Sequence, residues 1–91
     1  MKLKWSRAAL TDLQGILDFI RQDNPDAARA LATGFRLTAE HLRLHPFLGK
    51  RGDLEGTREL VVHRNYLLSY RVGSEAVEIL QIWHVAQKRF H

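Results

Sequence analysis

The sequence predicts an α+β fold: an antiparallel β-sheet with an N-terminal two-helix hairpin packed on one face, in the order β-α-α-β-β-β. Three observations lead there. Leu3 and Trp5 alternate with Lys2 and Lys4 at the two-residue period of a half-buried strand. Two successive stripes at helical spacing then follow, divided at Asn24-Pro25. Beyond the glycine-punctuated stretch 46–56, three strand-like runs follow with few helix signals between them.

Taken in order, Ser6 suits an N-cap because its hydroxyl can accept a bond from an orphan helical amide. Leu10, Leu13, Ile16, Leu17 and Ile20 make the apolar stripe of the first helix, with Asp12 and Asp18 off it. Asn24 caps the second helix, Pro25 fits its first position and Asp26 suits the dipole. Ala28, Leu31, Phe35, Thr38 and Leu42 form its stripe, which Ala27, Ala30, Leu37 and Leu44 widen. Pro46 disfavours helical geometry at His45 and ends the helix. A link this short requires the two helices to pack antiparallel. Residues 46–56 read as a loop with Lys50 and Arg51 at its tip. The three runs are Thr57 to Val62, Tyr66 to Val72 and Val77 to Val85, the last two joined by a tight hairpin at Gly73-Ser74. The third alternates poorly, as a central strand covered on both faces would.

Ninety-one residues amount to one domain, spanning 1–91, and a 45% hydrophobic content supports a core rather than disorder. The absence of cysteine excludes disulfides and thiolate metal sites, and is compatible with a reducing cytoplasm. The longest apolar runs are too short to span a bilayer, and no signal-peptide pattern opens the chain, so a cytoplasmic location is expected. Arginine supplies ten of the fourteen basic residues, against ten acidic ones. Its planar fork suits phosphate or carboxylate, so a polyanionic or acidic partner is one reading and a merely solvated basic surface the other.

Signatures of common hydrolases, nucleotide-binding loops, zinc fingers and helix-turn-helix domains are missing. His41 and His45 are spaced i, i+4, but no acidic residue completes a metal set, so no metal and no cofactor are expected. Tyr66, Leu68 and Tyr70 share strand parity and either pack under the helices or offer stacking surfaces. His84 ends the most apolar strand, where a titratable ring can meet a ligand or simply complete the sheet edge. Arg58, Arg71, Lys88 and Arg89 are candidates to converge with Lys50 and Arg51 on one rim that contacts phosphates or an acidic surface.

The ordered series Ala9-x-x-Asp12-Leu13-x-x-Ile16, Asn24-Pro25-x-Ala27-Ala28, His45-Pro46-x-x-Gly49, Gly56-Thr57-Arg58-Glu59-Leu60, Asn65-Tyr66-x-x-x-Tyr70-Arg71-Val72 and Val77-Glu78-Ile79-Leu80-x-x-x-His84 resembles the ParE branch of the ParE/RelE toxin superfamily, over nearly the whole chain. The resemblance implies a toxin of a type II toxin–antitoxin pair. Its partner would be a cognate antitoxin whose C-terminal segment wraps it, giving a toxin–antitoxin hetero-oligomer. It implies one of two targets: DNA gyrase, poisoned by binding, as in the ParE branch, or ribosome-bound messenger RNA, cut as in the RelE branch. RelE-like ribonucleases carry an arginine three residues before the strand tyrosine, and here that position is Leu67, which cannot bind a phosphate. The chain therefore leans to ParE. Arg58 and His84 occupy positions used by some ribonuclease members and are the catalytic candidates of the alternative. The proposed target-binding set is Lys50, Arg51, Arg58, Arg71, His84, Lys88 and Arg89.

Overall fold

Local chemistry explains where each element begins and ends. The computed structural model describes residues 1–88, the side chains of 87 and 88 excepted. Strand β1 (Lys2–Trp5) leads into helix α1 (Arg7–Asp23) and helix α2 (Pro25–Leu44). Strands β2 (Lys50–Arg51), β3 (Arg58–His63), β4 (Tyr66–Val72) and β5 (Ala76–His84) follow, then a single turn, α3 (Val85–Lys88). Asn24 serves both helices: its N–H donates to Ile20 O at 2.9 Å, and its Oδ1 accepts from Ala27 N at 3.0 Å. One residue therefore closes α1 and opens α2, with Pro25 at the start of α2 where its missing amide costs nothing. His45 caps the far end, just before Pro46.

The α+β class and the hairpin-on-sheet arrangement are as the sequence predicts. The sheet itself is mixed. Its order is β1-β5-β4-β3-β2, and β1 runs parallel to β5 while the other pairs are antiparallel. An entirely antiparallel sheet is thus corrected at one edge: the helical hairpin carries the chain to the far edge of the sheet, and the antiparallel meander β2-β3-β4-β5 comes back to meet β1 running in the same direction. Two further expectations change. The stretch 46–56 contains β2, a two-residue strand on the edge of β3. The central strand is β4, not β5, which lies between β4 and the short edge strand β1.

One face of the sheet meets the hairpin. Ala9, Phe35, Leu42, Leu68, Tyr70, Val77, Ile79 and Ile82 form the buried core there. Tyr70 and Leu68 are fully buried, so the shared face of Tyr66, Leu68 and Tyr70 lies under the helices. The apolar stripe of α1 is rotated from the expected one. Ala9 is fully buried and Leu10 is 51% exposed. The small Ala9 lets the start of α1 approach β5 closely, where two side chains stitch helix to strand. Ser6 accepts from Ala9 N at 2.9 Å and donates to Leu80 O at 2.8 Å. Asp12, read from sequence as off the stripe, points at the sheet and accepts from Ile82 N at 3.0 Å. Both act around a β-bulge. Ser69 pairs with Gln81 and Tyr70 with Ile79, leaving Leu80 unmatched. A bulge disturbs the ladder locally, and Ser6 and Asp12 bond to backbone groups of β5 at the bulge and beyond the end of β1. Leu37 and Leu44, assigned to the apolar face of α2, are exposed. Among the described residues, no helix is long and apolar enough to cross a membrane.

Gly15 and Gly34 each lie in a helix interior, and a Cβ added at either meets no atom within 4 Å. Glycine there weakens a helix by roughly 1 kcal/mol relative to alanine. Gly15→Ala and Gly34→Ala are each expected to raise stability by about 0.5–1 kcal/mol. Ser6→Ala removes both the cap and the tie to Leu80, and is expected to lower stability by about 1–2 kcal/mol. Urea unfolding midpoints test both; a destabilised alanine variant at Gly15 or an unchanged Ser6→Ala would contradict this account.

Candidate functional site

A buried tyrosine must find a partner for its hydroxyl. Tyr70, at the centre of the sheet, meets this need by reaching the loop that carries the basic residues. Its hydroxyl donates to Pro46 O at 2.9 Å and accepts from Gly49 N at 2.8 Å. Gly49 is needed because a Cβ there would stand 2.7 Å from the Tyr70 hydroxyl and 2.6 Å from Glu59 O. Arg58 grips the same loop, donating from Nη1 to Gly49 O at 2.7 Å while its guanidinium lies 5.0 Å from the centre of the Phe47 ring. Burial raises the Tyr70 pKa above its ordinary value of 10.0, partly opposed by the Gly49 amide bond and by the positive charge of Arg58.

The result is a basic edge held at one height. Lys50 pairs with Glu59, and Arg51 pairs with Arg58, in the β2–β3 register. Two arginines directly opposite one another repel, so this pair favours an anion or an acidic surface nearby. Arg51, Arg58 and Phe47 line an open recess of about 600 Å³ with the 52–57 turn, which also brings Asp53 and Glu55 to its wall.

The structure distributes the remaining sequence candidates. Arg71 stands at the same end of the sheet but in a second recess, with Lys4 and Glu78. In register, Glu78 lies between Arg71 and Lys4, which partly balances that row. His84 is at the opposite end, paired with Tyr66, whose ring it meets edge-on at 5.3 Å. Its Nδ1 accepts from Ala86 N at 3.1 Å and so caps the turn of α3. Arg58 pairs with Tyr70, four residues along β4 from Tyr66, so Arg58 and His84 are offset by about 13 Å along the strands. They also occupy strands on opposite sides of β4. The Lys88 side chain and Arg89 fall outside the described residues. Leu67 is 7% exposed, on the sheet face away from the hairpin, opposite Val61 and Trp83. His41 and His45 meet edge-on near the end of α2, and among the described residues no group of three His, Cys, Asp or Glu could hold a metal.

The anchoring roles of Phe47, Gly49 and Tyr70 are not assigned by the sequence patterns alone. The available signal is a tyrosine inside an apolar run together with the Pro46-x-x-Gly49 spacing.

Comparison with known proteins bears on this geometry. The model of the ParE toxin of the type II toxin–antitoxin system parDE matches residues 3–89. The chain belongs to the ParE toxin family. A putative toxin, Y4kP, of Sinorhizobium fredii is 34% identical to this ParE-family chain over 96% of it and 91% of the relative. Toxin RelE2 of Caulobacter vibrioides is 36% identical over 91% of the chain and 93% of the relative. Among solved structures, the chromosomal ParDE toxin–antitoxin system of P. aeruginosa is similar, with a TM-score of 0.82 and 27% identity over 93% of this chain and 96% of that one. The E. coli DinJ-YafQ complex shares the fold at a TM-score of 0.61 and 12% identity, over 94% of each chain. The chain is thus a toxin of the type II ParE/RelE class.

Tyr70→Phe leaves the Gly49 amide and the Pro46 carbonyl without their buried partner, and is expected to cost about 1–3 kcal/mol. The pH dependence follows from the raised pKa. As pH rises past about 10, the unfolded chain releases the Tyr70 proton while the folded chain still holds it, so stability falls until the folded group also titrates. Denaturant melts from pH 8 to 11 should therefore show a shallower alkaline decline for Tyr70→Phe than for the native chain. Parallel declines would refute the role of this hydroxyl.

Proposed function

We propose that this toxin acts by binding and poisoning DNA gyrase, through the basic edge built from Lys50, Arg51 and Arg58, and that a cognate antitoxin neutralises it. The observation that carries this reading is the separation of the groups a ribonuclease would need together. Phosphoryl transfer on RNA requires cationic groups and a proton donor or acceptor around one phosphate. Here Arg58 is engaged with Gly49 O and Phe47, and His84 lies at the far end of the sheet. Leu67, in the position where the ribonuclease branch carries arginine, is packed away from solvent. A binding toxin has no such requirement, since it needs only a preorganised surface of the right charge. The likeness to the P. aeruginosa ParDE system points the same way. Arg71 extends the cationic surface in this reading, Lys88 and Arg89 remain in the proposed target-binding set by their charge alone, and His84 contributes at the opposite rim. The antitoxin assignment draws on the relatives, which include toxin–antitoxin systems and complexes.

A second reading, a RelE-like nuclease that cleaves messenger RNA on the ribosome with Arg58 and His84 as its catalytic pair, is favoured by the relative named RelE2. Two assays separate them. Purified toxin is expected to inhibit gyrase supercoiling or trap cleaved DNA, and Arg51→Ala with Arg58→Ala together should weaken this at least tenfold. Gyrase unaffected at stoichiometric excess, with messenger cleavage in a translation extract abolished by His84→Ala, would reverse the assignment.

A further inference from the structure

Two helix-interior glycines are placed where the fold gives them no task. Gly15 and Gly34 have open space where a side chain would be. Neither is in a turn, and neither has positive φ. Each weakens its helix, yet each lines a recess, and Tyr66 is common to both recesses. The recess over Gly34 has a volume of about 470 Å³ and a largely apolar wall that includes Ile20, Ala30 and Leu31. The recess over Gly15, about 480 Å³, has different chemistry. Asp12 is the acidic group on its wall, beside the rings of Phe19, Tyr66 and His84. Phe19 is 70% exposed, a large apolar surface left to solvent by this fold. Asp12 accepts one bond from Ile82 N, and among the described residues no lysine or arginine forms a salt bridge with it. A carboxylate beside aromatic faces suits a guanidinium, which pairs with the first and stacks on the second.

We propose that a segment of the antitoxin docks across Tyr66, with an apolar side chain seated over Gly34 and an arginine set against Asp12 and Phe19. This rests on the reading that an antitoxin neutralises the chain. It adds a site at the end of the sheet opposite the basic edge, with the opposite charge. The glycines are then notches: missing side chains that make room for those of the partner. A segment that also reaches the basic edge would set acidic residues there and its arginine here.

The test uses substitutions that fill the notches without crowding the core. At Gly15 and Gly34 a Cβ meets nothing within 4 Å and faces the recess, and Gly15→Leu and Gly34→Leu replace a poor helix former with a good one, so both should melt no lower than the native chain. Each is expected to weaken binding of the cognate antitoxin at least tenfold by calorimetry, and Gly34→Leu, whose recess does not include His84, should leave gyrase inhibition by the free toxin unchanged. Asp12→Asn keeps an oxygen for the Ile82 amide, removes the charge and should give a loss of similar size. N-acetyl-arginine amide is a probe independent of the antitoxin. At millimolar concentration it should shift the NMR signals of Gly15, Tyr66 and Ile82 in the native chain, whereas its citrulline counterpart should not, and Asp12→Asn should abolish the shifts. Native antitoxin affinity in both leucine variants overturns the docking proposal. Equal shifts from arginine and citrulline overturn the guanidinium assignment. If the native chain binds no antitoxin at all, the underlying reading has failed, and the arginine probe still decides whether the recess takes a guanidinium.

Discussion

A phenol placed where water cannot reach it imposes the main constraint on this molecule. Tyr70 fills the middle of the core, and its hydroxyl must be satisfied from within. The Pro46 carbonyl and the Gly49 amide do so, which ties the end of α2 to the central strand. Everything on the basic edge follows from that tie. It sets the height of the chain at Gly49, which lets β2 pair with β3 and offers Gly49 O to Arg58. The glycine is needed for the approach, and the arginine closes the loop from its other side. Core and surface are therefore not independent here: a core hydroxyl sets the position of surface charge.

The second organising feature is the contact of α1 with β5. The strand carries a bulge at Leu80, and the helix meets it with Ser6 and Asp12 rather than with apolar side chains alone. Small residues make this possible, since Ala9 lets the helix come close enough for two short polar side chains to reach the strand. The hydroxyl and the carboxylate also specify which part of β5 the helix faces, which an apolar stripe by itself does only loosely.

Much of this was legible in the sequence because it depends on local chemistry. The caps at Ser6 and Asn24, the stop at Pro46, the extent of β4 and the face shared by Leu68 and Tyr70 all come from short-range rules. What could not be read arises from contacts distant in sequence. The parallel pairing of β1 depends on the meander from β2 to β5 that comes back to it, and β2 begins directly after Gly49, which Tyr70 and Arg58 hold. Polarity alone puts Asp12 off the apolar stripe, whereas its partner is the amide of Ile82, on β5 beyond the last residue paired with β1, a contact that no single-sequence pattern reveals. The basic candidates come from charge and His84 from its place at a strand end. Register, not charge, divides them between the two ends and two faces of the sheet, and that division separates Arg58 from His84.

The parallel pairing of β1 with β5 has a kinetic side. Ser6 and Leu80, bonded in the native state, lie 74 residues apart in the chain. As the polypeptide is synthesised, the helical hairpin is complete long before the strand that must cover it, and β1 waits beside an empty edge until β5 arrives. Closing so long a loop is slow compared with forming the hairpin. Part of the underside of α1 therefore stays uncovered until the last strand slots between the first and the fourth.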